Sequence, residues 1–371
     1  MNILVVNWQD ITNPQAGGAE VHFQEIFSRI AGRGHRVTLC CSSYPGAAPE
    51  ETIGGVRIVR RGTRPLFNFR FPLTYLFSLR REVFDVVVED LNKVPFFTPL
   101  YVRRPLAGIA HHLFGRSVFR ETGIVPAAYV YLLERAALGL YRKRIPFMVV
   151  SPSTRAEFLS RGFPPSRLSV ITNCVDHARY TPGAKSPSPL IVWFGRLKKY
   201  KSAEHFLLAL PRVRAALPGL RAVIAGGGDD AERLRSIARG AGLGSAVEFT
   251  GYVDEERKIQ LLREAWCTVA TSMKEGWGLT VVESNACGTP SVAADVPGLR
   301  DAVRDGVTGI LYAHGDIDGL ASALIRVAGD AELRGRLSAE AIRWAGEFDW
   351  ERSAEATIGV LTAVVSGSSA A

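Results

Sequence analysis

The sequence predicts an α/β protein of two domains, each built on a doubly wound parallel sheet. Short Val/Ile/Leu runs alternate with amphipathic segments, and a Pro/Ser/Gly segment at residues 181–189 divides this alternation into two halves. Strands that are apolar along their whole length are covered by helices on both faces, as in parallel sheets. The length of 371 residues also fits two domains, at a prior of roughly 150 residues each.

The first half, residues 1–180, is predicted as one domain. The apolar run at residues 2–7 predicts a buried strand, and the spacing of Ala19, Phe23, Ile26 and Ile30 predicts a helix after it. Further strands are predicted at residues 37–41, 56–59, 85–88, 106–110, 147–150 and 168–171.

The second half, residues 181–349, is predicted as another βαβ domain. Residues 181–189 are interpreted as the interdomain linker, since a Pro-rich stretch forms neither helix nor central strand. Strands are predicted at residues 190–194, 222–225, 247–249, 268–270, 291–293 and 310–312. The spacing of Phe206, Leu210, Val213 and Leu217 predicts a helix, and further helices are predicted at residues 317–327, 331–347 and 350–364.

Composition narrows the class of protein. No segment has the roughly 20 uninterrupted apolar residues that a membrane span needs, and the N-terminus lacks a basic signal-peptide region. The five cysteines lack zinc-ligand spacing, so free thiols in a reducing cytoplasm are expected. The net charge of +9 favours anionic partners, which leaves phosphate-bearing small molecules, nucleic acid and anionic lipid open.

The first candidate site is the segment from Glu275 to Glu283. Glycines at 276 and 278 allow a tight turn, and the predicted helix after them offers free N–H groups to a phosphate. Glu283, predicted two turns inside that helix, could accept hydrogen bonds from ribose hydroxyls. The alternative is that Glu275 complements the helix dipole and Glu283 is a solvated charge.

Cations follow the first strand of the second half. Arg196 is a planar donor fork and Lys201 a mobile point charge, a combination that suits a diphosphate, although a solvated basic loop is the alternative.

Two further features follow strands of the first half. Gly17-Gly18 could admit a phosphate or sugar against the backbone, or could simply form a turn. His111-His112 places one imidazole at a strand end, where it could bond substrate or only pack. The motifs typical of P-loop kinases, dinucleotide dehydrogenases, esterases and zinc peptidases are absent from the sequence.

Taken in order, these motifs resemble the retaining glycosyltransferases of family GT4, whose GT-B fold consists of two Rossmann-like domains facing each other across a cleft. The matching segments are residues 17–20, 151–154, 173–176, 195–197 with Lys201, 275–283 and 286–290. The resemblance implies an N-terminal acceptor-side domain and a C-terminal donor-binding domain. It also implies that the C-terminal helix, residues 350–366, packs back on the first domain.

The resemblance also implies roles for single residues. Arg196 and Lys201 would hold the donor diphosphate, and Glu283 the ribose. Glu275 would hold the donor sugar, together with amides from Gly276, Trp277, Gly278 and Leu279. Gly17 and Gly18 would approach the donor phosphate, and His111 would contact the transferred sugar. The catalytic set is then Glu275, His111, Arg196 and Lys201. Three residues depart from the commoner family pattern: Cys174 and Ser202, each where Gly is commoner, and Trp277, where Phe is commoner.

The implied activity is transfer of a sugar from a UDP- or GDP-linked donor to an acceptor hydroxyl, with retention and with neither metal nor cofactor. The implied setting is synthesis of cell-envelope polysaccharide, glycolipid or glycoconjugate, in the cytoplasm and peripherally at the inner face of the membrane. The acceptor would be a sugar or a lipid-linked molecule.

A basic segment at residues 57–81 bears on that acceptor. It interleaves seven arginines with Phe67, Phe69, Phe71 and Phe77, which could fit an anionic membrane surface or could be core residues with a solvated rim. The arginines are Arg57, Arg60, Arg61, Arg64, Arg70, Arg80 and Arg81.

Other readings remain within and outside the fold: a nucleotide-sugar epimerase, a phosphorylase or a noncatalytic sugar-nucleotide-binding subunit. The sequence contains no recognised nucleic-acid-binding module, so no nucleic-acid partner is expected.

Overall fold

The computed structural model describes residues 1–120 and 123–367 and divides the chain into two units. Unit 1 comprises Met1–Asn173 and the C-terminal segment from Trp350, and unit 2 comprises Cys174–Asp349. Each unit is built around one sheet.

The boundary lies before the segment predicted as a linker, because that segment is fastened to unit 2. Arg263 donates to the carbonyl of Thr181 at 2.8 Å, and Trp266 donates to the carbonyl of Ser186 at 2.8 Å. Tyr180 donates from its hydroxyl to Glu283 at 3.3 Å. Residues 174–189 therefore belong to the C-terminal unit, and the division does not fall at residue 180.

Eight strands form the sheet of unit 1, in the order β3-β4-β2-β1-β5-β6-β7-β8. Their bounds are β1 Asn2–Val6, β2 Arg36–Ser43, β3 Glu50–Ile53, β4 Val56–Thr63, β5 Val86–Leu91, β6 Leu106–Ala110, β7 Phe147–Val149 and β8 Leu168–Val170. Neighbouring strands are parallel except β3, which pairs antiparallel with β4 at the edge.

Helices cover this sheet on both faces. They are α1 Gly18–Gly32, α2 Phe67–Phe77, α3 Ile124–Tyr141 and α4 Pro152–Ser160, with a further helix from the C-terminal segment. In β1, Leu4 and Val6 pack in the apolar cluster under α2, while the alternate residues Ile3 and Val5 are also fully buried. Because successive side chains of a strand point to opposite faces, both faces of β1 are covered.

The sheet of unit 2 has six parallel strands, in the order β11-β10-β9-β12-β13-β14. Their bounds are β9 Leu190–Phe194, β10 Arg221–Ala225, β11 Val247–Gly251, β12 Cys267–Ala270, β13 Ser291–Ala294 and β14 Gly309–Tyr312. The remaining helices are α5 Ala203–Ala216, α6 Ala231–Gly240, α7 Glu255–Glu264, α8 Leu279–Ala286, α9 Leu299–Ala302, α10 Ile317–Gly329, α11 Ala331–Ala345 and α12 Trp350–Ser366.

The C-terminal helix α12 belongs to unit 1. Arg29 of α1 and Arg33, the C-cap of α1, donate to the two carboxylate oxygens of Glu351, at 2.9 and 2.8 Å. Ser353 donates to the carbonyl of Thr172 at 3.1 Å. These contacts fix the helix against α1 although unit 2 separates the two in sequence.

Both sheets contain a point at which the strand order reverses. In unit 1 the chain places β2 on one side of β1 and β5 on the other; in unit 2 it places β10 on one side of β9 and β12 on the other. Doubly wound sheets bind ligands outside the carboxyl ends of the two strands at such a switch point. The loops after β1, β5, β9 and β12 are therefore where a ligand is expected.

No helix in the described part of the chain combines the length and apolarity of a membrane span. All five cysteines are buried and free of disulfides, and burial raises the pKa of Cys40 to about 12. Burial also raises the pKa of Cys41, Cys267 and Cys287, so these four thiols are kept protonated and poorly reactive.

Candidate functional site

The switch point of unit 2 holds the predicted cations. β9 ends at Phe194, and the chain continues through an exposed Arg196 and a short 3₁₀ turn, Lys199–Lys201. β12 ends at Ala270 and leads into the loop that carries Glu275. Two adjacent carboxyl strand ends thus supply the basic and the acidic group.

Lys201 and Glu275 form an ion pair there, with Lys201 Nζ donating to Glu275 Oε1. Ser272 donates to the same oxygen at 2.6 Å. Burial alone would lower the pKa of Lys201, but the Glu275 carboxylate, with a smaller contribution from Tyr200, outweighs burial and raises that pKa, against a weaker repulsion from Arg196. Lys201 is accordingly a fixed positive charge within electrostatic reach of Arg196.

The backbone of this loop is packed against glycines. A Cβ added at Gly226 would overlap the carbonyl oxygen of Gly195, and one added at Gly228 would overlap that of Leu197. Leu197 N also donates to Gly227 O at 2.8 Å. The run Gly226-Gly227-Gly228 after β10 therefore packs directly against the backbone of the turn that carries Arg196.

The Glu275 loop is held in the same way. Gly298 has φ +83° and lies so close to the Glu275 carbonyl that a Cβ there would overlap it, and Glu275 N donates to Pro297 O at 3.3 Å. α8 begins at Leu279 with Gly278 as its N-cap, so the amides at the start of α8 lie next to this loop. The Trp277 side chain is buried and packs edge to face on Phe348, with ring centroids 5.0 Å apart.

Glu283 lies about one turn into α8, not two, because the helix starts at Leu279. It is 6% exposed, and Lys258 Nζ of α7 donates to its Oε1 at 2.7 Å. Tyr180 donates to the same oxygen at 3.3 Å, whereas Oε2 has no hydrogen-bond partner among the described residues. One carboxylate oxygen is thus held, and the other is buried without a hydrogen-bond partner among the described residues.

The switch point of unit 1 holds Gly17 and Gly18. Gly17 is the N-cap of α1, and its amide donates to Glu20 Oε2 at 2.7 Å. Burial raises the pKa of Glu20, and the nearby Asp90 adds to this effect, although the Gly17 amide opposes it. Glu20 therefore fixes the glycine turn at the start of the helix.

His111 follows β6, and its Nε2 lies 3.4 Å from Oδ2 of Asp90 at the end of β5. Burial alone would lower the pKa of His111, but Asp90 raises it above its ordinary value. The ring also packs edge to face on His22, with centroids 5.2 Å apart. His112 turns away and packs on Phe114, with centroids 4.5 Å apart, so the two histidines have different environments.

The basic segment at residues 57–81 divides into two parts. Phe67 and Phe71 are core residues, and Arg60 forms a fully buried pair with Asp10 at 2.7 Å, so these three side chains are structural. Phe69 and Phe77 are exposed. Of the two alternatives for this segment, that of core residues holds for Phe67 and Phe71, because the strand and helix periods bury every second or fourth side chain, and Phe69 and Phe77 leave the surface alternative open.

Four supporting residues escaped the sequence analysis: Asp90, Lys258, Tyr180 and Ser272. Asp90 carried a usable signal, since an acid at a strand end next to the switch point is a candidate ligand. The others became recognisable only through packing. The described residues contain no cluster of three or more His, Cys, Asp or Glu side chains suited to a metal ion.

Comparison with known proteins agrees with this geometry. The family described as "Glycosyltransferase Family 4" matches residues 16–179, and the family described as "Glycosyl transferases group 1" matches residues 177–344. A glycogen synthase of Mycobacterium tuberculosis is 28% identical over 99% of this chain and 96% of its own length.

Two solved structures share the fold over nearly the whole chain. Sucrose-phosphate synthase from Thermosynechococcus elongatus has a TM-score of 0.82 at 19% identity, covering 99% of this chain and 100% of that one. HepE from Anabaena, solved with UDP-glucose, has a TM-score of 0.77 at 19% identity, covering 98% and 100%. The fold is therefore GT-B.

Proposed function

Because the chain belongs to glycosyltransferase family 4, we propose that it transfers a hexosyl group from a UDP- or GDP-linked sugar to an acceptor hydroxyl, with retention and without a bound metal. The observation that supports this most is the Lys201–Glu275 pair at the switch point of unit 2, with Arg196 beside it. The UDP-glucose bound to HepE favours a uridine donor.

In this proposal Arg196 and Lys201 hold the donor diphosphate. As the sugar leaves, negative charge grows on the departing nucleoside diphosphate, and fixed cations stabilise that charge in the transition state. When Lys201 pairs with the diphosphate, the Glu275 carboxylate accepts hydrogen bonds from hydroxyls of the sugar. The amides at the start of α8 add further hydrogen-bond donors. Glu283 holds the ribose, and the buried Oε2, which has no partner among the described residues, supports this role.

Retention follows when the acceptor attacks from the face that the diphosphate leaves. The departing phosphate oxygen then takes the acceptor proton, so no protein nucleophile is required. In unit 1, Gly17 and Gly18 offer close backbone approach, and His111 donates a hydrogen bond to the transferred sugar. The raised pKa of His111 beside Asp90 supports a donating imidazole.

We further propose that the protein works in the cytoplasm, peripherally at the inner face of the membrane, on an acceptor of cell-envelope polysaccharide, glycolipid or glycoconjugate synthesis. The net charge of +9 supports an anionic surface as partner.

A thermal-shift screen with UDP, GDP, ADP and their sugars identifies the donor, since a bound ligand stabilises by mass action. Transfer is then measured in wild type, Lys201→Met and Glu275→Gln. Each variant should lose about 10²–10³-fold in kcat/KM, the usual effect of removing one transition-state contact. Lys199→Met, two residues away and exposed, serves as the control and should keep wild-type activity.

Two results would refute transfer, and a third would refute the assignment of the donor site. Isomerisation of the donor without an acceptor would indicate an epimerase. Binding of a donor with neither hydrolysis nor transfer would indicate a noncatalytic subunit. Equal activity in Lys201→Met and Lys199→Met would show that the Lys201 pair is not the donor site.

A further inference from the structure

α2 presents a stripe of large apolar side chains to solvent. The stripe consists of the N-cap Leu66 with Phe69, Leu73 and Phe77, which are 61%, 61%, 50% and 70% exposed. Their spacing of three and four residues places them on one side of the helix, while Phe67, Phe71 and Tyr75 pack in the core on the other side. α2 is therefore apolar on both sides, and among the described residues the core covers one side while the other faces solvent.

α3 has the same property. Its exposed stripe consists of Ile124, Val125, Tyr129 and Leu132, which are 79%, 80%, 46% and 62% exposed. Ala137, Leu138 and Tyr141 pack in the core below. In the described part of the chain, two helices of unit 1 thus present apolar stripes to solvent.

The two helices lie on the same face of the sheet. In β5, Val87 packs in the cluster under α2 and Leu91 in the cluster under α3, and residues four apart in a strand share a face. Leu106 packs against both clusters. Between the helices, Leu100 on the turn Thr98–Leu100 is 67% exposed. We call the surface formed by α2, this turn and α3 the α2–α3 face.

The charge of this region is strongly positive. Residues 64–144 contain thirteen Lys and Arg against six Asp and Glu, so they carry a net +7 of the chain's +9. Three of the acids, Glu89, Asp90 and Glu134, are buried within unit 1. Arg116 and Arg135 hydrogen-bond to Tyr131 on α3, which places cations beside its apolar stripe.

We propose that the α2–α3 face of unit 1 docks on an anionic phospholipid bilayer. Apolar side chains of such helices enter the region between headgroups and acyl chains, while arginines at the rim bind lipid phosphates. Docking of a second copy of this face would bring two strongly positive surfaces together. Binding of nucleic acid would leave the aliphatic side chains exposed to water. This deepens the proposed peripheral location, and it does not depend on the sugar donor.

The test is co-sedimentation of the full chain with vesicles of phosphatidylcholine, with and without phosphatidylglycerol. Wild type should bind only the vesicles that contain phosphatidylglycerol, and high salt should weaken binding. Arg70→Gln and Arg81→Gln should each lower the partition coefficient about fivefold. Phe69→Ser with Phe77→Ser should lower it at least about tenfold, because two large apolar contacts are lost.

Matched controls come from unit 2. Tyr252→Ser and Leu208→Ser change exposed apolar residues, and Arg336→Gln changes an exposed arginine; all three should bind vesicles as wild type does. Nucleotide binding, measured by thermal shift on every variant, shows that each is folded and tests the donor site separately.

Three outcomes would overturn the proposal. The first is equal binding to zwitterionic and anionic vesicles. The second is equal loss of binding in the unit 2 controls. The third is absence of vesicle binding together with a dimer that Phe69→Ser with Phe77→Ser dissociates, since a second copy of the chain would then cover the face.

Discussion

Replacing His22 by Gln should flatten the acid dependence of the stability of unit 1. His22 lies on α1, is 2% exposed and packs edge to face on His111 and Trp350. Burial, with repulsion from His111, lowers the pKa of His22 to about 3. In an unfolded chain the pKa of histidine is about 6.5.

The sign follows from proton binding. Between pH 6.5 and pH 3 the unfolded state binds a proton at His22 and the folded state does not, so the stability present above about pH 6.5 is lost as the pH falls. The loss is about 1.4 kcal/mol per pH unit well below 6.5, which gives about 2 kcal/mol between pH 7 and pH 5. If the pKa of His22 in the folded state were one unit higher, this figure would barely change, because that pKa would still lie below pH 5.

Neighbouring groups act in the opposite direction. The raised pKa values of His111 and Glu20 mean that the folded state holds protons at these sites more tightly, so both contribute stability as the pH falls. Both groups are present in wild type and variant, so the difference between the two proteins isolates His22.

The assay is urea unfolding, followed by fluorescence and circular dichroism, at about pH 7 and about pH 5. Wild type should lose about 2 kcal/mol more than His22→Gln between the two conditions. His177→Gln, an exposed histidine of unit 2, should behave as wild type does. Equal losses in wild type and His22→Gln would refute the assignment of a buried neutral imidazole.

Three further predictions concern unit 2. Ser202 has φ +49°, a left-handed conformation that costs an L-residue about 1–2 kcal/mol. Because glycine adopts this conformation freely, Ser202→Gly should raise the free energy of unfolding by about 1 kcal/mol, after the entropy cost of glycine is subtracted. The measurement is a higher Tm. Gly228→Ala should weaken nucleotide binding about tenfold or more, because its Cβ would overlap a neighbouring carbonyl oxygen. Gly227→Ala, with open space around it, should leave affinity unchanged by calorimetry. Lys258→Met should weaken binding about tenfold by leaving the buried Glu283 carboxylate without its cation, and Lys258→Arg should retain affinity.

The strands were predictable where burial on both faces made them apolar throughout. The predicted strand at residues 106–110 and the observed β6 coincide, as do the predicted strand at 190–194 and β9. β3 was missed because its sequence, Glu50–Ile53, is mostly exposed and polar at a sheet edge. The turn Gly54-Gly55, with φ +56° and +80°, was the available signal for that hairpin.

The sequence predicted those site residues that lie in loops directly after strands. Lys201 and Glu275 both follow strands, and the structure brings them into contact. The support of Glu283 by Lys258 could not be inferred, because it depends on how α7 packs against α8 and not on any local spacing. The depth of Glu283 in its helix was misjudged for a local reason, since the glycines delay the start of α8 to Leu279.

The two ion pairs of unit 2 bear on how a donor would be selected. Lys201 and Glu275, and likewise Lys258 and Glu283, neutralise each other inside the protein. A buried charge without a partner costs several kcal/mol, so the fold already supplies each cation with a carboxylate. A ligand whose diphosphate pairs with Lys201 must therefore also supply hydrogen-bond donors to Glu275. The hydroxyls of an attached sugar can be those donors. On this reasoning the free nucleotide, which offers no sugar hydroxyl to Glu275, should bind more weakly than its sugar conjugate. Replacing Glu275 by Gln should reduce that difference.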